Sequence, residues 1–352
     1  MRDFVKKWMR RPSSERAPLQ VVETPMEEAD RAVTHAGEVP FYPLAQVLKN
    51  QAKRELEAKS PLQTTPQTSS VFSPTIIRRY TGEEWVAEGG TANILKAYDE
   101  RLRRTVALKR FKISDQGQTL DYLAELESAS RVQHPHVVSV YDAEEDETGP
   151  FIVMELIKGR NLEEQLAAQA MPCNRAVFAE VAVQILEGLN AVHEGGLLHL
   201  DLKPSNIMVH QTVGRRQTAK IVDFGRSMLQ EFEGEKPKGS GLDGSIYYSS
   251  PEQLMSQELD VRSDLYSLGC VFYTILTKDR PFKGDNALQV MTSHLQHYVE
   301  PLQERCPNIS PGMAELVMKL VRLDPNDRFQ SARETLEALL KELEIERQFE
   351  AD

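Results

Sequence analysis

The chain has 352 residues, of which 40% are hydrophobic and 27% are charged, the balance of an ordinary globular protein. Residues 1–79 carry 13 Lys and Arg against 9 Asp and Glu, whereas the remainder carries 29 against 44, so the net charge of −11 resides in the C-terminal body. This acidic body argues against nucleic acid as a partner, because nucleic-acid binding depends on a basic surface.

Cysteine usage and hydropathy narrow the class of protein further. The three cysteines, Cys173, Cys270 and Cys306, form no CxxC pair, and their scarcity fits a reducing compartment. No apolar run approaches the length needed to cross a bilayer, and the N-terminus lacks the apolar centre of a signal peptide. The sequence therefore predicts a soluble, cytoplasmic protein.

Residues 1–79 have the composition of a tail and linker. The tract SPLQTTPQTSSVFSP (60–74) is rich in Ser, Thr, Gln and Pro, which is typical of a linker. FVKKWMRR (4–11) and YPLAQVLKNQAKRELEAK (42–59) place apolar residues at helical spacing. Two interpretations stay open for residues 1–59: a mobile tail with transient helices, or a contact with a partner or a membrane surface.

From Tyr80 onward the chain reads as one β-rich part followed by one helical part. The first part contains the β-rich runs EEWVAEGG, ANILKAYD and TVALKRF, the helical stretch LDYLAELESASRV, and the strands VVSVYDAEE and PFIVMELI. After Gly159 helical periodicity dominates, in NLEEQLAAQ, AVFAEVAVQILEGLNAVHEG, SDLYSLGCVFYTILT, NALQVMTSHLQ, MAELVMKLVR and ARETLEALLKELEIERQ. The short strands NIMVH and AKIVDFG interrupt these helices.

This order of elements predicts an α+β fold with two lobes. We expect a small β-rich N-lobe with one main helix at residues 80–158 and a larger helical C-lobe at 159–346, followed by a short tail at 347–352. A cleft between two such lobes is a common place for a ligand.

A pair of glycines lies on the N-lobe side of the expected cleft. Gly89 and Gly90, in EGGTA (88–92), follow one strand and precede another. Adjacent glycines let backbone amides approach an anion closely, but a Gly-Gly pair alone is also typical of a hairpin turn.

A lysine lies in an apolar strand of the same lobe. Lys109 follows Ala107 and Leu108 and needs a charged partner, because burying an unpaired ammonium group is costly. On the next helix Glu125 shares a face with Val132, so we expect Glu125 to point inward towards Lys109 and Glu127 to point outward.

Two polar stretches lie on the C-lobe side. HLDLKPSN (199–206) presents Asp201, Lys203 and Asn206 on a loop, because a proline prevents a regular helix there. Asp223 ends the apolar strand before VDFG, and its carboxylate with the Asn206 amide would suit Mg²⁺. Asp201 is then available to orient an attacking hydroxyl and Lys203 to balance charge. Each stretch alone also fits a polar turn, but their ordered combination predicts phosphoryl transfer.

With these stretches in this order, residues 80–346 resemble the eukaryotic-type (Hanks-type) serine/threonine protein kinase family, which is also found in bacteria. VALK supplies Lys109, HLDLKPSN supplies Asp201 and Asn206, DFG supplies Asp223, and SPE (250–252) stands where the family has A-P-E. The resemblance implies a bilobal kinase fold, ATP and Mg²⁺ as cofactors, and transfer of the γ-phosphoryl group to hydroxyls of protein substrates.

The family pattern also implies roles for individual residues. Glu125 would pair with Lys109, and the hydroxyl of Ser245 would bridge Asp201 and Lys203. Further contacts are implied between Glu252 and Arg328 and between Asp264 and the catalytic loop. The catalytic residues implied are Asp201, Lys203, Lys109, Glu125 and Ser245, and the metal ligands are Asn206 and Asp223.

The resemblance further implies a nucleotide site. Met154 would be the gatekeeper, and the backbones of Glu155 and Ile157 would meet the adenine. The nucleotide-binding residues implied are Ala87, Glu88, Gly89, Gly90, Ile94, Ala107, Lys109, Met154, Glu155, Ile157 and Met208.

The sequence departs from the family pattern at two informative places. Ala87 and Ala92 replace the first and third glycines of the glycine-rich loop, which predicts weaker nucleotide affinity or slower loop closure. Leu200 replaces the arginine of H-R-D that normally meets a phosphate on the activation loop, which predicts regulation by another route. These departures also fit a second hypothesis, a pseudokinase-like nucleotide-binding scaffold that recruits partners through its N-terminal tail.

Overall fold

A computed structural model of the chain describes residues 79–89, 92–112, 131–168, 175–211, 217–224, 228–229 and 244–351. All of them belong to one unit of the chain, Thr75–Asp352. The predicted tail, with its two helical stretches and its linker, lies outside the described residues. So does the helix predicted for LDYLAELESASRV, apart from Arg131 in a turn and Val132 in a coil segment.

The N-lobe contains one antiparallel five-stranded sheet with the order β1-β2-β3-β5-β4. Its strands are β1 (Tyr80–Glu88), β2 (Ala92–Asp99), β3 (Arg104–Phe111), β4 (Val140–Asp146) and β5 (Gly149–Glu155). The β-branched and apolar residues of these runs form strands because their period of two gives the sheet one buried apolar face.

Cross-strand register assigns residues to the two faces of this sheet. Leu95, Leu108 and Val153 lie opposite one another on one face and belong to an apolar cluster with Tyr80 and Phe151. The neighbouring positions face the other way. There Ile94, Lys109 and Ile152 form one cross-strand row, and Lys96, Ala107 and Met154 form the next. The alternation of β3 therefore places Lys109 and Ala107 on the same face.

The C-lobe begins with short elements around a three-stranded sheet of order β6-β8-β9. They are β6 (Arg160–Asn161), α1 (Leu162–Ala168), α2 (Arg175–Glu194), β7 (Leu197–Leu198), β8 (Ile207–Gln211), β9 (Gln217–Ile221) and β10 (Met228–Leu229), which pairs with β7. The remaining helices are α3 (Pro251–Leu254), α4 (Val261–Thr277), α5 (Ala287–Leu295), α6 (Leu302–Arg305), α7 (Pro311–Leu320) and α8 (Ala332–Ala351).

Helix α4 forms the centre of the C-lobe core. Its residues from Ser263 to Leu276 are all buried, so the helix is enclosed on every side. Phe272 of α4 meets Phe178 of α2 edge to face, with ring centroids 5.4 Å apart. Gly269 allows α7 to approach, because a Cβ atom there would lie 2.6 Å from Leu320 Cβ. Among the described residues no helix is both long and apolar enough to cross a membrane.

The predicted α+β organisation, a β-rich lobe followed by a helical lobe, is confirmed by the structure. The strand predicted from Val137 begins only at Val140, because Val137 instead forms a parallel bridge with Ile221 at the end of β9. Hydrogen bonds from Val138 N to Ile221 O and from Ile221 N to His136 O, both 2.9 Å, complete this junction. Helix α8 continues to Ala351, through most of the stretch assigned from sequence to a C-terminal tail.

A buried ion pair joins helix α3 to the segment before α8. Arg328 Nη1 and Nη2 donate to the Glu252 carboxylate at 2.7 and 3.1 Å, and the Arg328 side chain is 0% exposed. Ser263 Oγ also donates to Glu252, and the backbone carbonyls of Arg322 and Leu323 accept further Arg328 hydrogen bonds. The pair is thus fully hydrogen-bonded, as a buried ion pair must be.

Glu252→Ala should lower the free energy of unfolding by about 3–5 kcal/mol, because it leaves the Arg328 guanidinium buried without its counter-charge. Chemical denaturation of the full chain measures the change. As a control, Glu337→Ala removes one partner of an exposed ion pair with Arg333, 4.0 Å long, and should change stability by less than about 0.5 kcal/mol. Equal losses in both variants would contradict the importance assigned to the buried pair.

Candidate active site

Four of the sequence-predicted site residues form one hydrogen-bonded group. Asp201 Oδ2 accepts hydrogen bonds from Lys203 Nζ at 2.8 Å and from Asn206 Nδ2 at 3.0 Å. Lys203 Nζ also donates to Ser245 Oγ at 2.8 Å, and Asn206 Nδ2 also donates to the backbone oxygen of Asp201 at 2.8 Å. The structure therefore places one amide and one ammonium group on the Asp201 carboxylate, and one hydroxyl on that same ammonium group.

The local sequence explains why this loop presents its polar groups. Leu198, His199, Leu200 and Leu202 are each at most 4% exposed, so the loop is anchored in the interior on both sides of Asp201. Asp201 and Lys203, which flank Leu202, are more exposed than these residues. A 3₁₀ turn at Pro204–Asn206 then leads directly into β8.

Leu200 has a left-handed backbone conformation, with φ of 60°. Such a conformation costs a non-glycine residue roughly 1–2 kcal/mol. Three hydrogen bonds hold the backbone there: Leu200 N donates to Asp264 Oδ1 at 2.7 Å, His199 N donates to Asp264 Oδ2 at 2.8 Å, and Gln253 Nε2 donates to Leu200 O at 2.9 Å. The loop geometry therefore depends on the carboxylate of Asp264.

Asp264 lies in the first turn of α4 and is 0% exposed. Burial by itself would raise the pKa of Asp264, but the hydrogen bond with His193 and the backbone amide of His199 lower it below its ordinary value. His193 Nε2 lies 2.9 Å from Asp264 Oδ2, which links the last turn of α2 to the same carboxylate. Asp264 thus stays ionised inside the lobe and binds the loop to two helices.

Lys109 of the N-lobe reaches the C-lobe side of the cleft. Its Nζ lies 2.7 Å from Asp223 Oδ1, while the Lys109 residue is only 7% exposed. Asp223 has φ of 67°, a second left-handed non-glycine position in the site. Glu125, which the family pattern pairs with Lys109, lies outside the described residues, so that pairing stays a prediction.

Asn206 and Asp223 offer oxygen ligands that suit a magnesium ion. Asn206 Nδ2 faces two oxygens of Asp201, so the amide oxygen Oδ1 must face the opposite direction. Val222 N donates to Asn206 O at 3.0 Å, which holds the residue before Asp223 beside Asn206. The Asp223 side chain is 42% exposed. A set of one carboxylate and one amide oxygen fits Mg²⁺, which keeps several water or phosphate ligands of its own.

Apolar residues line the sheet side of the predicted nucleotide site. Ile94 lies directly opposite Lys109, and Ala107 lies directly opposite Met154 on β5. Met208, the second residue of β8, is half-buried on the C-lobe side, where it pairs with Lys220. The positions predicted to sandwich a ring system therefore come from both lobes.

The segment after β5 is tied to the rest of the protein by Glu155. Its backbone N donates to Ser139 O at 2.9 Å, and its carboxylate accepts from Lys220 Nζ of β9 at 2.8 Å. Met154 and Ile157 pack against an apolar cluster that includes Phe224. The connection between the lobes is therefore held by a backbone hydrogen bond, an ion pair and apolar contacts.

The glycine-rich turn is closed by its own backbone. Gly89 N donates to Ala92 O at 2.9 Å, so this amide is engaged within the turn between β1 and β2. A Cβ at Gly89 would lie 2.9 Å from the same oxygen, which explains the glycine. Ala87 lies opposite Ile94, and the Glu88 carboxylate pairs with Lys112 at 3.0 Å. Gly90 lies outside the described residues.

Sequence reasoning missed three residues that position this site: His193, Lys220 and Gln253. The S-x-x-Q pattern at 250–253 is visible as a capping box, and Ser250 and Gln253 do form one at the start of α3. The reach of Gln253 to Leu200, 53 residues away, has no local signal. The same is true of His193 and Lys220, whose partners are 71 and 65 residues away.

Comparison with known proteins shows which family the chain belongs to. The sequence profile of the Protein kinase domain family matches residues 80–340. The chain is 33% identical over 292 residues to "Serine/threonine-protein kinase pkn3" of Myxococcus xanthus. The matched region covers 80% of this chain and 53% of that protein. It is also 33% identical over 276 residues to "Serine/threonine-protein kinase PknB" of Mycobacterium leprae. That matched region covers 76% of this chain and 43% of the relative. The chain therefore spans about half the length of the curated relatives it matches.

Asp264→Asn should destabilise the protein in a way that depends on pH. The asparagine side chain has one acceptor oxygen, whereas the backbone amides of His199 and Leu200 donate to two carboxylate oxygens. We therefore expect the free energy of unfolding to fall by about 2–3 kcal/mol at pH 7. Because the folded-state pKa of Asp264 lies below its ordinary value of 3.8, the stabilisation by the carboxylate is complete above about pH 4 and is lost as pH falls through the folded pKa.

Urea unfolding of both proteins at a series of pH values measures this difference. The gap between wild type and Asp264→Asn should shrink as pH falls below about 4. Asp285→Asn, at an exposed position, is the matched control and should leave stability nearly unchanged throughout. A gap for Asp264→Asn that stays constant to the lowest accessible pH would contradict the role of its charge.

Proposed function

Because the chain belongs to the protein kinase family, we propose that it is an active serine/threonine kinase that transfers the γ-phosphoryl group of ATP to protein hydroxyls. The observation that supports this most directly is the arrangement at Asp201. Its carboxylate is oriented by Lys203 and Asn206, while Ser245 holds the following segment against the same lysine. The catalytic unit in this proposal spans residues 80–346.

Asp201 orients the acceptor hydroxyl and takes its proton as the bond between the acceptor oxygen and the γ-phosphorus forms and the bond from that phosphorus to ADP breaks. Hydrogen bonds to the Asp201 carboxylate from two fixed donors limit its rotation, so it is preorganised for this task. Lys203 lies between Asp201 and Ser245, so its ammonium group compensates negative charge as the phosphoryl group moves to the acceptor.

Lys109 contacts the phosphates of the nucleotide. It enters the cleft from an apolar strand, is almost fully buried, and reaches Asp223 at 2.7 Å. An ammonium group in such surroundings interacts more strongly with a phosphate than one exposed to water. Ile94, Ala107, Met154 and Met208 supply the apolar surfaces for the adenine, and the backbones of Glu155 and Ile157 supply its polar contacts.

Asn206 and Asp223 would hold Mg²⁺, which when bound neutralises charge on the phosphates. The pairing of one carboxylate with one amide oxygen, and the direction of Asn206 Oδ1 away from Asp201, support this assignment. Serine or threonine as the acceptor is supported by the names of the relatives. It is also supported by DLKPSN at the catalytic loop and by the hydroxyl of Ser245 beside Lys203.

Regulation by an arginine–phosphate contact does not fit this catalytic loop. Leu200 is 4% exposed, and its position is maintained by Asp264 and Gln253 rather than by an anion. An aliphatic side chain cannot hydrogen-bond a phosphate, so a phosphorylated activation loop would gain nothing from this position. We therefore propose a kinase whose loop is held ready by the fold and whose control lies elsewhere.

The alternative is a nucleotide-binding scaffold without turnover. The observation that favours it is the engaged amide of Gly89, together with alanine at positions 87 and 92. These features argue against tight phosphate binding. All of the polar residues proposed for phosphoryl transfer are nevertheless present in the sequence. Catalysis therefore remains the better-supported function.

Asp201→Asn should lower kcat by about 10²–10⁴-fold, because an amide cannot accept the proton of the acceptor hydroxyl. Transfer from radiolabelled ATP with Mg²⁺ to a generic protein substrate measures the loss, and Asp285→Asn should retain wild-type activity. Equal transfer by wild type and Asp201→Asn would contradict the proposed role. Thermal stabilisation of the wild type by nucleotide without any transfer would favour the scaffold instead.

Phosphatase treatment of the purified protein should change its activity by less than about twofold, because Leu200 offers no partner for a phosphate. Mass spectrometry before and after treatment verifies that phosphate has been removed. Abolition of activity by the treatment, with recovery after autophosphorylation, would contradict this part of the proposal.

A further inference from the structure

A hollow of about 190 Å³ opens directly beside the proposed catalytic group, because Lys203 and Ser245 belong to its lining. The same lining includes Glu163, Tyr248 and Arg280. A second hollow of about 360 Å³ shares the last three residues and continues towards Lys278. A peptide whose hydroxyl reaches Asp201 would therefore place a neighbouring side chain against Arg280.

Arg280 is held in this hollow by aromatic neighbours. Its guanidinium carbon lies 3.8 Å from the centroid of the Tyr247 ring, a stacking distance. Burial raises the pKa of Tyr248, and hydrogen bonds with Thr274 and Arg280 oppose that shift. The guanidinium is thus positioned before any ligand arrives, which reduces the entropy lost on binding.

Arg280 has no carboxylate partner in the part of the chain that the structure describes. Among the residues that the structure describes, none places an Asp or Glu oxygen within 4.0 Å of its side-chain nitrogens. The adjacent Asp279 is engaged by Lys283 and, at 3.1 Å, by Arg305. Other arginines of this lobe, such as Arg262 and Arg328, each pair with an acid. Arg280 therefore differs from them by facing neutral aromatic groups.

Glu163, which also lines the hollow, argues for the opposite preference, a basic substrate side chain. It lies exposed in the first turn of α1, where the helix N-terminus already stabilises its carboxylate. An exposed and unconstrained carboxylate is screened by water and salt, whereas Arg280 is half-buried and fixed by its ring contacts. The fixed cation should dominate the electrostatic potential of the hollow.

We propose that this hollow is a substrate subsite in which Arg280 selects an anionic side chain, a carboxylate or a phosphorylated hydroxyl, close to the acceptor residue. This inference rests on the proposed kinase function. The planar guanidinium matches both anions because it can donate two parallel hydrogen bonds to either. A peptide with lysine at the same place would meet like charge and bind less well.

The test uses synthetic peptides that differ at one position at a time on either side of a single serine. That position carries Ala, Glu, phosphoserine or Lys, and kcat/KM is measured for each peptide with the full chain. For wild type we expect the best Glu or phosphoserine peptide to exceed its Ala counterpart by about tenfold. Preference for phosphoserine over Glu would identify a previously phosphorylated neighbour as the natural anion, and the reverse would identify an acidic residue.

Three variants decide the assignment to Arg280. Arg280→Gln should remove the preference, and Arg280→Glu should shift it towards the Lys peptide. Arg333→Gln, the same substitution at an exposed arginine of α8, should leave the preference unchanged. Each preference is a ratio within one variant, so a general loss of activity cancels.

Equal kcat/KM values for the Ala and Glu peptides in wild type would overturn the subsite while leaving the kinase function intact. So would a preference that survives in Arg280→Gln. A preference for Lys that disappears in Glu163→Gln would assign the hollow to Glu163 instead. Absence of phosphorylation for every peptide, the Ala reference included, would overturn the kinase function itself and the subsite with it.

Discussion

The carboxylate of Asp264 is the constraint on which the candidate active site depends. It is fully buried, yet it accepts hydrogen bonds from the backbone amides of His199 and Leu200 and lies 2.9 Å from His193. These contacts keep the carboxylate ionised and hold Leu200 in a left-handed conformation that the residue would not adopt alone. The backbone conformation of Leu200 sets the direction of the Asp201 side chain, because Asp201 is the next residue.

A second constraint brings the two lobes into one site. The parallel bridge between Val137 and Ile221 joins the segment before β4 to the end of β9, and Asp223 follows two residues later. Lys109, fixed on β3 by the alternation of the sheet, then meets Asp223 at 2.7 Å. The two lobes therefore meet at an ion pair, and an apolar strand holds each of its two residues. This arrangement combines rigid elements with a polar, solvent-accessible cleft.

Charge is arranged differently in the catalytic group and beside it. Around Asp201 the charges are already paired within the protein, which suits a group that must be oriented before the substrate arrives. Arg280, by contrast, is oriented by aromatic rings and has no carboxylate partner among the described residues. The group at Asp201 is therefore arranged for phosphoryl transfer, and the hollow at Arg280 is arranged to bind an anion. The two hollows and the catalytic group nevertheless adjoin.

The sequence by itself determined the order of elements and the family. Its period of two placed Lys109 and Ala107 on one face of a strand, and the apolar residues and proline of HLDLKPSN predicted a loop that presents Asp201 and Lys203. These are local consequences of backbone geometry, so neighbouring residues reveal them. Only the tertiary structure decided which distant groups meet: Lys203 with Ser245, Leu200 with Gln253, His193 with Asp264, and Arg280 with Tyr247. Such contacts depend on how helices and strands far apart in the chain pack together, and no local pattern records that packing.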